Sequence, residues 1–557
     1  MRLAWCSPAL VLAVLLAPAL ARAAWLPGGN RIGGAAGSGF GFVAAASGPE
    51  RIVVAWARPL ASGGAEVRAQ AWTAEGDLAT GWPSAGVLVS QLPSVYGRVA
   101  ICEDGAGGAF VAWAKPEGYE SIVYVQHVSA GGSPATGWPA EGLRLSESPS
   151  AWPVVTHDGA GGVIVGWLEH DGPPTYVYHA RIRNIDASGA PAPSWPVEGL
   201  VIPNVYDMNL AVDSKGHVFV STAEHEQGAS ARMRVLRLDG SAAPDPGWPQ
   251  TGALFPNVFP AQMRLFPDGA GGVFAGWSEY LICTDFCPPS PSRWATRLLG
   301  DGSHDDRWIS SPRAYSNEPD RTGGMLLGLV SDGRPGALRL DAGGAAMPGW
   351  AVEGNAAMTE VVDLWEVLVA GDGEGGAFVA WRDNRTGRER LYASRLDASG
   401  RLANGWPPTG SFVGAGHGNL SGAQLLTLGG DVVIALWDEW TSSETSGYLM
   451  ALRPGEPGPL APLRPAQGDV GFGVVQVRPN PANGPIAAIV ELQNEGPAKL
   501  DLVDAAGRVL ESQEFGFQLQ ARGAVSFNRA RTLPPGVYWL RLTQGRRLAS
   551  RKVVVLE

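Results

Sequence analysis

The residues best suited to chemistry sit in one repeated setting. The stretch "DGAGGAFVAW" (104–113) places three glycines within five residues, ahead of an apolar run. Such glycines cradle a phosphate when they lie between a strand and a helix, where amides and the helix dipole converge on an anion. Here an apolar strand-like run follows, and no Lys-Ser or Lys-Thr. The spacing instead predicts a tight hairpin. Asp104 bonds its own backbone, glycine supplies the positive φ, and "AFVAW" becomes a strand covered on both faces.

The stretch recurs as "DGAGGVIVGW" (158–167), "DSKGHVFVST" (213–222), "DGAGGVFAGW" (268–277) and "DGEGGAFVAW" (372–381), with weaker copies ending at 56, 329 and 437. The eight copies are 52 to 57 residues apart. Two residues past each copy stand Arg58, Lys115, Glu169, Glu224, Glu279, Ser331, Asp383 and Glu439. Five of the eight are carboxylates. If the repeats superpose, Glu169, Glu224, Glu279, Asp383 and Glu439 share one rim, a candidate face for a cation or polar ligand. His170, Asp171, His225, Glu226, Asn384 and Asp438 crowd the same positions. The blander expectation is a set of hairpin ends, with Asp383 paired to Arg382 or Arg385.

Other chemistry finds no support. Gly-x-Ser-x-Gly and His-Glu-x-x-His are absent from the sequence, and no Cys–His pair stands in a convincing context. Adjacent carboxylates such as Asp438 and Glu439 point to opposite faces of a strand, so they do not converge on one substrate. No catalytic residue, metal site or cofactor is assigned.

A second motif keeps the same beat: "GWPSAG" (81–86), "GWPAEG" (137–142), "SWPVEG" (194–199), "GWPQTG" (247–252), "GWAVEG" (349–354) and "GWPPTG" (405–410). Trp308 marks a decayed copy, and the eighth repeat has lost its Trp. The two motifs hold 13 of the 21 Trp, a packing pattern. Each unit reads as four short strands. In the second these are "YGRVAICED", "GAFVAW", the alternating "SIVYVQHVS" and "LRLS". Four-stranded units repeated at this spacing predict an all-β chain built as an eight-bladed β-propeller. Seven blades plus leftover strands is the alternative, because the first and last units are the most degenerate. A solenoid coil is usually shorter, and a lone bead of this size buries too little.

Residues 1–23 read as a signal peptide: Arg2, an apolar run, then Ala21-Arg22-Ala23. The run is too short to span a bilayer comfortably, and no integral membrane segment is expected once it is removed. Residues 24–36 are expected to be a linker, 37–466 the propeller, and 467–472 a second linker. Cys102 is expected to be a buried thiol, and Cys283 and Cys287 in "CTDFC" to close a disulfide, which an exported chain permits. The net charge of −11 is uneven: residues 473–557 carry eleven basic and seven acidic side chains, so the acidity lies in the repeats. So acidic a body excludes nucleic acid as partner.

Residues 473–557 alternate in short strands, with turns at Asn480-Pro481, Asp504–Gly507 and Pro534-Pro535-Gly536. This suits a small Ig-like β-sandwich. The segment resembles the type A C-terminal sorting domain of the type IX secretion system, through "RPNP" (478–481), "LDLVDAAGRVL" (500–510), "LPPGVYWLRL" (533–542) and "RKVVVLE" (551–557). That resemblance implies passage through the periplasm, recognition by outer-membrane secretion machinery, and a secreted or cell-surface destination. It makes the last strand, with Arg551 and Lys552, the expected sorting signal. The repeated turn also partly resembles the Asp-box of sialidases, though without its Ser and with Trp displaced. The expected function is a non-enzymatic exported propeller that binds a polysaccharide or a protein. The alternative is a secreted glycan-active hydrolase or lyase.

Overall fold

The computed structural model describes residues 25, 29–33, 39–94, 98–118, 120–172, 177–224, 232–255, 258, 260–279, 293–308, 314–362, 364–385, 389–414, 419–428, 431–441, 444–454, 473–478, 486–491, 497–504, 507–516, 522–527, 533–544 and 547–555. Among them every regular element is a strand. The chain divides into two units, Met1–Leu460 and Ala461–Glu557.

The first unit follows the sequence repeat. Repeat 2 gives strands Val99–Glu103, Ala109–Glu117, Glu120–Val128 and Leu143–Arg144, hydrogen-bonded antiparallel in that order. Repeats 1, 3, 4 and 7 give sheets of the same form, while repeats 5 and 6 join at Arg293 and Ala314 into one seven-stranded sheet. The eighth repeat supplies three strands, and its fourth comes from the other end of the unit. Asn30–Arg31 pairs with Thr445–Leu452, opposite Leu449 and Tyr448. Part of the segment expected to be a linker is therefore strand. The Trp missing from repeat 8 is supplied there too: Trp25 donates its indole N–H to the Ala74 carbonyl at 3.0 Å. Trp82, Trp138, Trp350 and Trp406 likewise reach a carbonyl of the following repeat.

The second strand of each repeat is covered on both faces, and its alternation says by what. Val111 and Trp113 pack with Val53 and Ala55 of repeat 1. Phe110 and Ala112, facing the other way, pack with Val163, Val165 and Trp167 of repeat 3. The pattern runs through the unit and returns to its start, where Ile434 and Leu436 of repeat 8 meet Ile52, Val54 and Trp56 of repeat 1. Each fully buried side chain of this size contributes on the order of 1.5–3 kcal/mol. The sheets thus stand side by side in a propeller-like arrangement. Their inner, first strands enclose a cavity of about 680 Å³, lined from all eight repeats, from Ala44 and Arg98 through Asp207 and Glu318 to Gln424.

The glycine-rich stretch is turn and clamp. Asp104 Oδ1 accepts the amides of Ala106 and Gly108, both at 2.8 Å, while Gly105 and Gly107 take φ of 72° and 94°. The other carboxylate oxygen holds His127 Nε2 at 2.9 Å. In repeats 5, 6 and 7 Arg297, Arg339 or Arg395 takes the place of that imidazole. Arg51 and Arg237 reach on to the glycine carbonyls of the next repeat's turn, Gly107 and Gly271.

In the second unit, one sheet orders strands Val509–Gly516, Pro497–Val503, Gly536–Gln544 and Arg547–Val555. The other orders Gly473–Arg478, Ile486–Glu491 and Arg522–Phe527. Val490 and Phe527 of the smaller sheet share a core with Leu500, Leu540 and Val553 of the larger.

Candidate functional site

The expected rim lies at the far end of each second strand from the Asp turn. Glu224 and Asp383 end such strands, and Glu169 and Glu439 stand one residue from the end. They are buried. In an extended strand residues two apart share a face, and this spacing decides their role. Trp167 donates its indole N–H to Glu169 at 3.3 Å, Trp381 to Asp383 at 2.8 Å and Trp437 to Glu439 at 3.2 Å. Repeat 4 has Thr222 in place of the Trp, and its hydroxyl donates to Glu224 at 3.0 Å.

Arginines complete the arrangement. Arg181 pairs with Glu169, Arg232 and Arg234 with Glu224, and Arg385 with Asp383. The same guanidinium groups bind the last turn of the second motif: Arg181 holds the Glu198 carbonyl at 2.7 Å and Arg385 the Thr409 carbonyl at 2.7 Å. Repeat 1 reverses the charges. Arg58 ends the second strand, and Glu66 on the third strand answers both Arg58 and Arg68. Without a carboxylate two residues on, the indole N–H groups of Trp56 and Trp113 have no partner among the described residues. Lys115 lies over the Tyr124 ring, 5.4 Å from its centroid.

The carboxylates are therefore tied each within its own repeat. Strand-end position was legible in the sequence. The latch was not, although a Trp two residues before a carboxylate, with Arg on the next strand, was its visible sign. Arg385, one of the two expected partners of Asp383, makes the pair; Arg382 turns to Glu366 and Glu389. The Glu279 side chain, His225, Glu226, Cys283 and Cys287 lie outside the described residues. Cys102 is a free, buried thiol, and burial pushes its pKa far up. Among the described residues no group of three His, Cys, Asp or Glu is placed to hold a metal ion. No helix among them is long and apolar enough to cross a membrane.

The central cavity offers different chemistry. The inner strands of repeats 1 and 3 to 8 each carry a register shift near this same end. Bulges of this kind re-aim side chains. Asp207 follows the bulge in repeat 4. Burial pushes its carboxyl above the ordinary range, against the amides of Met208 and Gln262 and the charge of Arg98, which pull it down. Arg264 pairs with Glu318 across from repeat 5 to repeat 6. The lining thus mixes both signs of charge with amides such as Gln262 and Gln424.

Arg551 and Lys552 stand exposed on the last strand, Arg547–Val555, at the edge of its sheet. Residues 476–556 match the family model of the secretion system C-terminal sorting domain. The C-terminal unit matches a sorting domain. That sorting match indicates export to the cell surface or beyond it. No curated protein matches the chain. Among solved structures, puromycin hydrolase is similar at 12% identity and TM-score 0.39, over 75% of this chain and 62% of that one. Dipeptidyl peptidase 4 of Porphyromonas gingivalis is similar at 10% identity and TM-score 0.41, over 83% and 65%. The chain thus spans less than two thirds of either protein. The endo-arabinase of Bacteroides thetaiotaomicron follows at 11% identity and TM-score 0.28, over 58% and 100%.

Proposed function

We propose that the chain is an exported, non-enzymatic binding protein: an eight-bladed propeller that presents a ligand face, delivered by an Ig-like C-terminal sorting domain. The count of eight rests on eight sequence repeats and on the exchange of Asn30–Arg31 into the last sheet, which joins the two ends of the first unit. Seven blades would leave one repeat without two neighbours, whereas repeat 8 packs against both repeat 7 and repeat 1. The signal peptide at 1–23 takes the chain to the periplasm. The exposed edge carrying Arg551 and Lys552 is read by the outer-membrane secretion machinery.

The observation that carries the binding reading is where the charge goes. Glu169, Glu224 and Asp383 are spent on indoles or hydroxyls and on arginines of their own blades. The cavity, with its mixed polar lining, is left for a polysaccharide or protein ligand. A glycan array probed with the purified full-length chain tests this: retention without product formation is expected.

The alternative, a glycan-active hydrolase or lyase, draws on Asp207. Its raised carboxyl in the cavity has the character of a general acid. Release of new reducing ends by the wild type, abolished in Asp207→Asn, would establish it.

A further inference from the structure

Repeat 3 carries an aromatic group that blade packing does not use. Trp152 lies in the bulge of the inner strand Ser150–His157, at φ 53° and 42% exposed. The matching bulges hold Gly41 at φ 64° in repeat 1 and Gln262 at φ 50° in repeat 5. A left-handed backbone is relaxed for glycine and strained for a bulky side chain. The chain holds an indole where glycine would cost nothing, and it holds it toward solvent. Strain kept at an exposed position points to use.

The indole is not alone. The Tyr178 ring lies 5.9 Å from it, with the planes 53° apart, and His170 stands edge-on to Tyr178 at 5.4 Å. A carboxylate stands beside the imidazole, with His170 Nε2 3.7 Å from Glu120. His179, the next residue after Tyr178, faces the other side of the sheet and meets Asp171 there at 3.0 Å. Val154, two residues beyond Trp152, lines the central cavity.

We infer that Trp152 and Tyr178 form a stacking platform for a neutral pyranose unit of a polysaccharide, beside the central cavity. The inference rests on the binding reading above and gives it a place and a ligand class. A pyranose has an apolar C–H face and a rim of hydroxyls. An exposed indole against Tyr178, whose ring in turn adjoins the His170–Glu120 pair, matches that pattern. An apolar peptide or a lipid surface needs a contiguous apolar patch, and here the aromatic cluster runs into His170 and its neighbour Glu120. The Glu120 charge, within an acidic body, also disfavours an anionic polymer.

Affinity electrophoresis of the full-length chain through gels containing dextran, laminarin, galactomannan, xylan or alginate tests the platform. Retardation by at least one neutral polymer and none by alginate is expected. Trp152→Ala and Tyr178→Ala should each weaken that retardation at least tenfold, and Trp152→Phe less. Trp152→Gly, which relaxes the backbone, should lose retention while its thermal midpoint stays at or above the wild type. Equal retention of wild type and Trp152→Ala would overturn the platform and leave the binding reading standing. Preference for alginate, or no retardation by any neutral polymer, would also overturn it. New reducing ends in a gel that retards the wild type but not Trp152→Ala would sink the non-enzymatic reading and leave the platform in place.

Discussion

The indole N–H of Trp381 meets Asp383 at 2.8 Å, two residues along one strand. Arg385 closes on the same carboxylate from the hairpin that follows, stacks 3.9 Å from the Tyr392 ring centroid, and holds the Thr409 carbonyl. One carboxylate thereby ties together the blade's second strand, its third strand and its Trp-Pro turn.

Asp383→Ala should destabilise the chain by about 3 kcal/mol, the low end for breaking a buried pair, because the Arg385 left behind still reaches water. Urea unfolding checks the figure. Glycan retention of the folded variant should equal that of wild type; a selective loss of retention would return Asp383 to the ligand face.

Gly410 takes φ 77°, and a Cβ there would lie 2.3 Å from the Trp381 ring. Gly410→Ala adds a left-handed penalty of roughly 1–2 kcal/mol to an overpacking cost of about 1–3 kcal/mol. A thermal midpoint lowered by several degrees is expected. An unchanged midpoint would mean that the second motif's last glycine is not a packing requirement.

Closure by the N-terminal strand is testable at Ile32. It is fully buried, in one core with Ile434, Leu449 and Trp56. Ile32→Ala should cost about 2–5 kcal/mol and expose the last sheet to limited proteolysis before the others. A uniform digestion pattern would argue that the ends of the first unit are not held there.

The Asp turns predict an acid limit. Burial pushes the carboxyls of Asp104, Asp213 and Asp320 upward, but His127 for the first, His217 for the second, Thr322 with Arg339 for the third, and the turn amides outweigh it and hold all three below the ordinary range. A depressed carboxyl stabilises the fold fully above its unfolded value, about 3.9, and loses that contribution as the pH falls through the lower folded value. Urea midpoints should therefore hold down to about pH 5 and fall steeply below about pH 4. Asp320→Asn should be less stable at neutral pH and show a shallower fall. A midpoint flat to pH 3 would contradict the assignment.

Periodicity made the repeats legible, because a strand covered on both faces, such as "AFVAW", leaves an unbroken apolar run beside its turn. Asp104 and its glycines were legible for the same local reason: the turn's bonds close within five residues. What the sequence hid lay far apart in the chain. Asn30–Arg31 looked like linker because two residues hold no period, and their partners are Leu449 and Tyr448. The rim carboxylates were located and Arg385 stood among the expected partners of Asp383, but Arg181 was hidden, since it lies a hairpin away from Glu169. Trp152 gave no sign, for a bulge shifts register without changing composition.

The central claim is an exported binding module carried out by its C-terminal unit. Fractionation of the native host, expressing either the full chain or a chain lacking 473–557, tests it most directly. The full chain is expected at the cell surface or in the medium, and the truncated chain folded and trapped in the periplasm. Equal surface or medium levels of the two would contradict it.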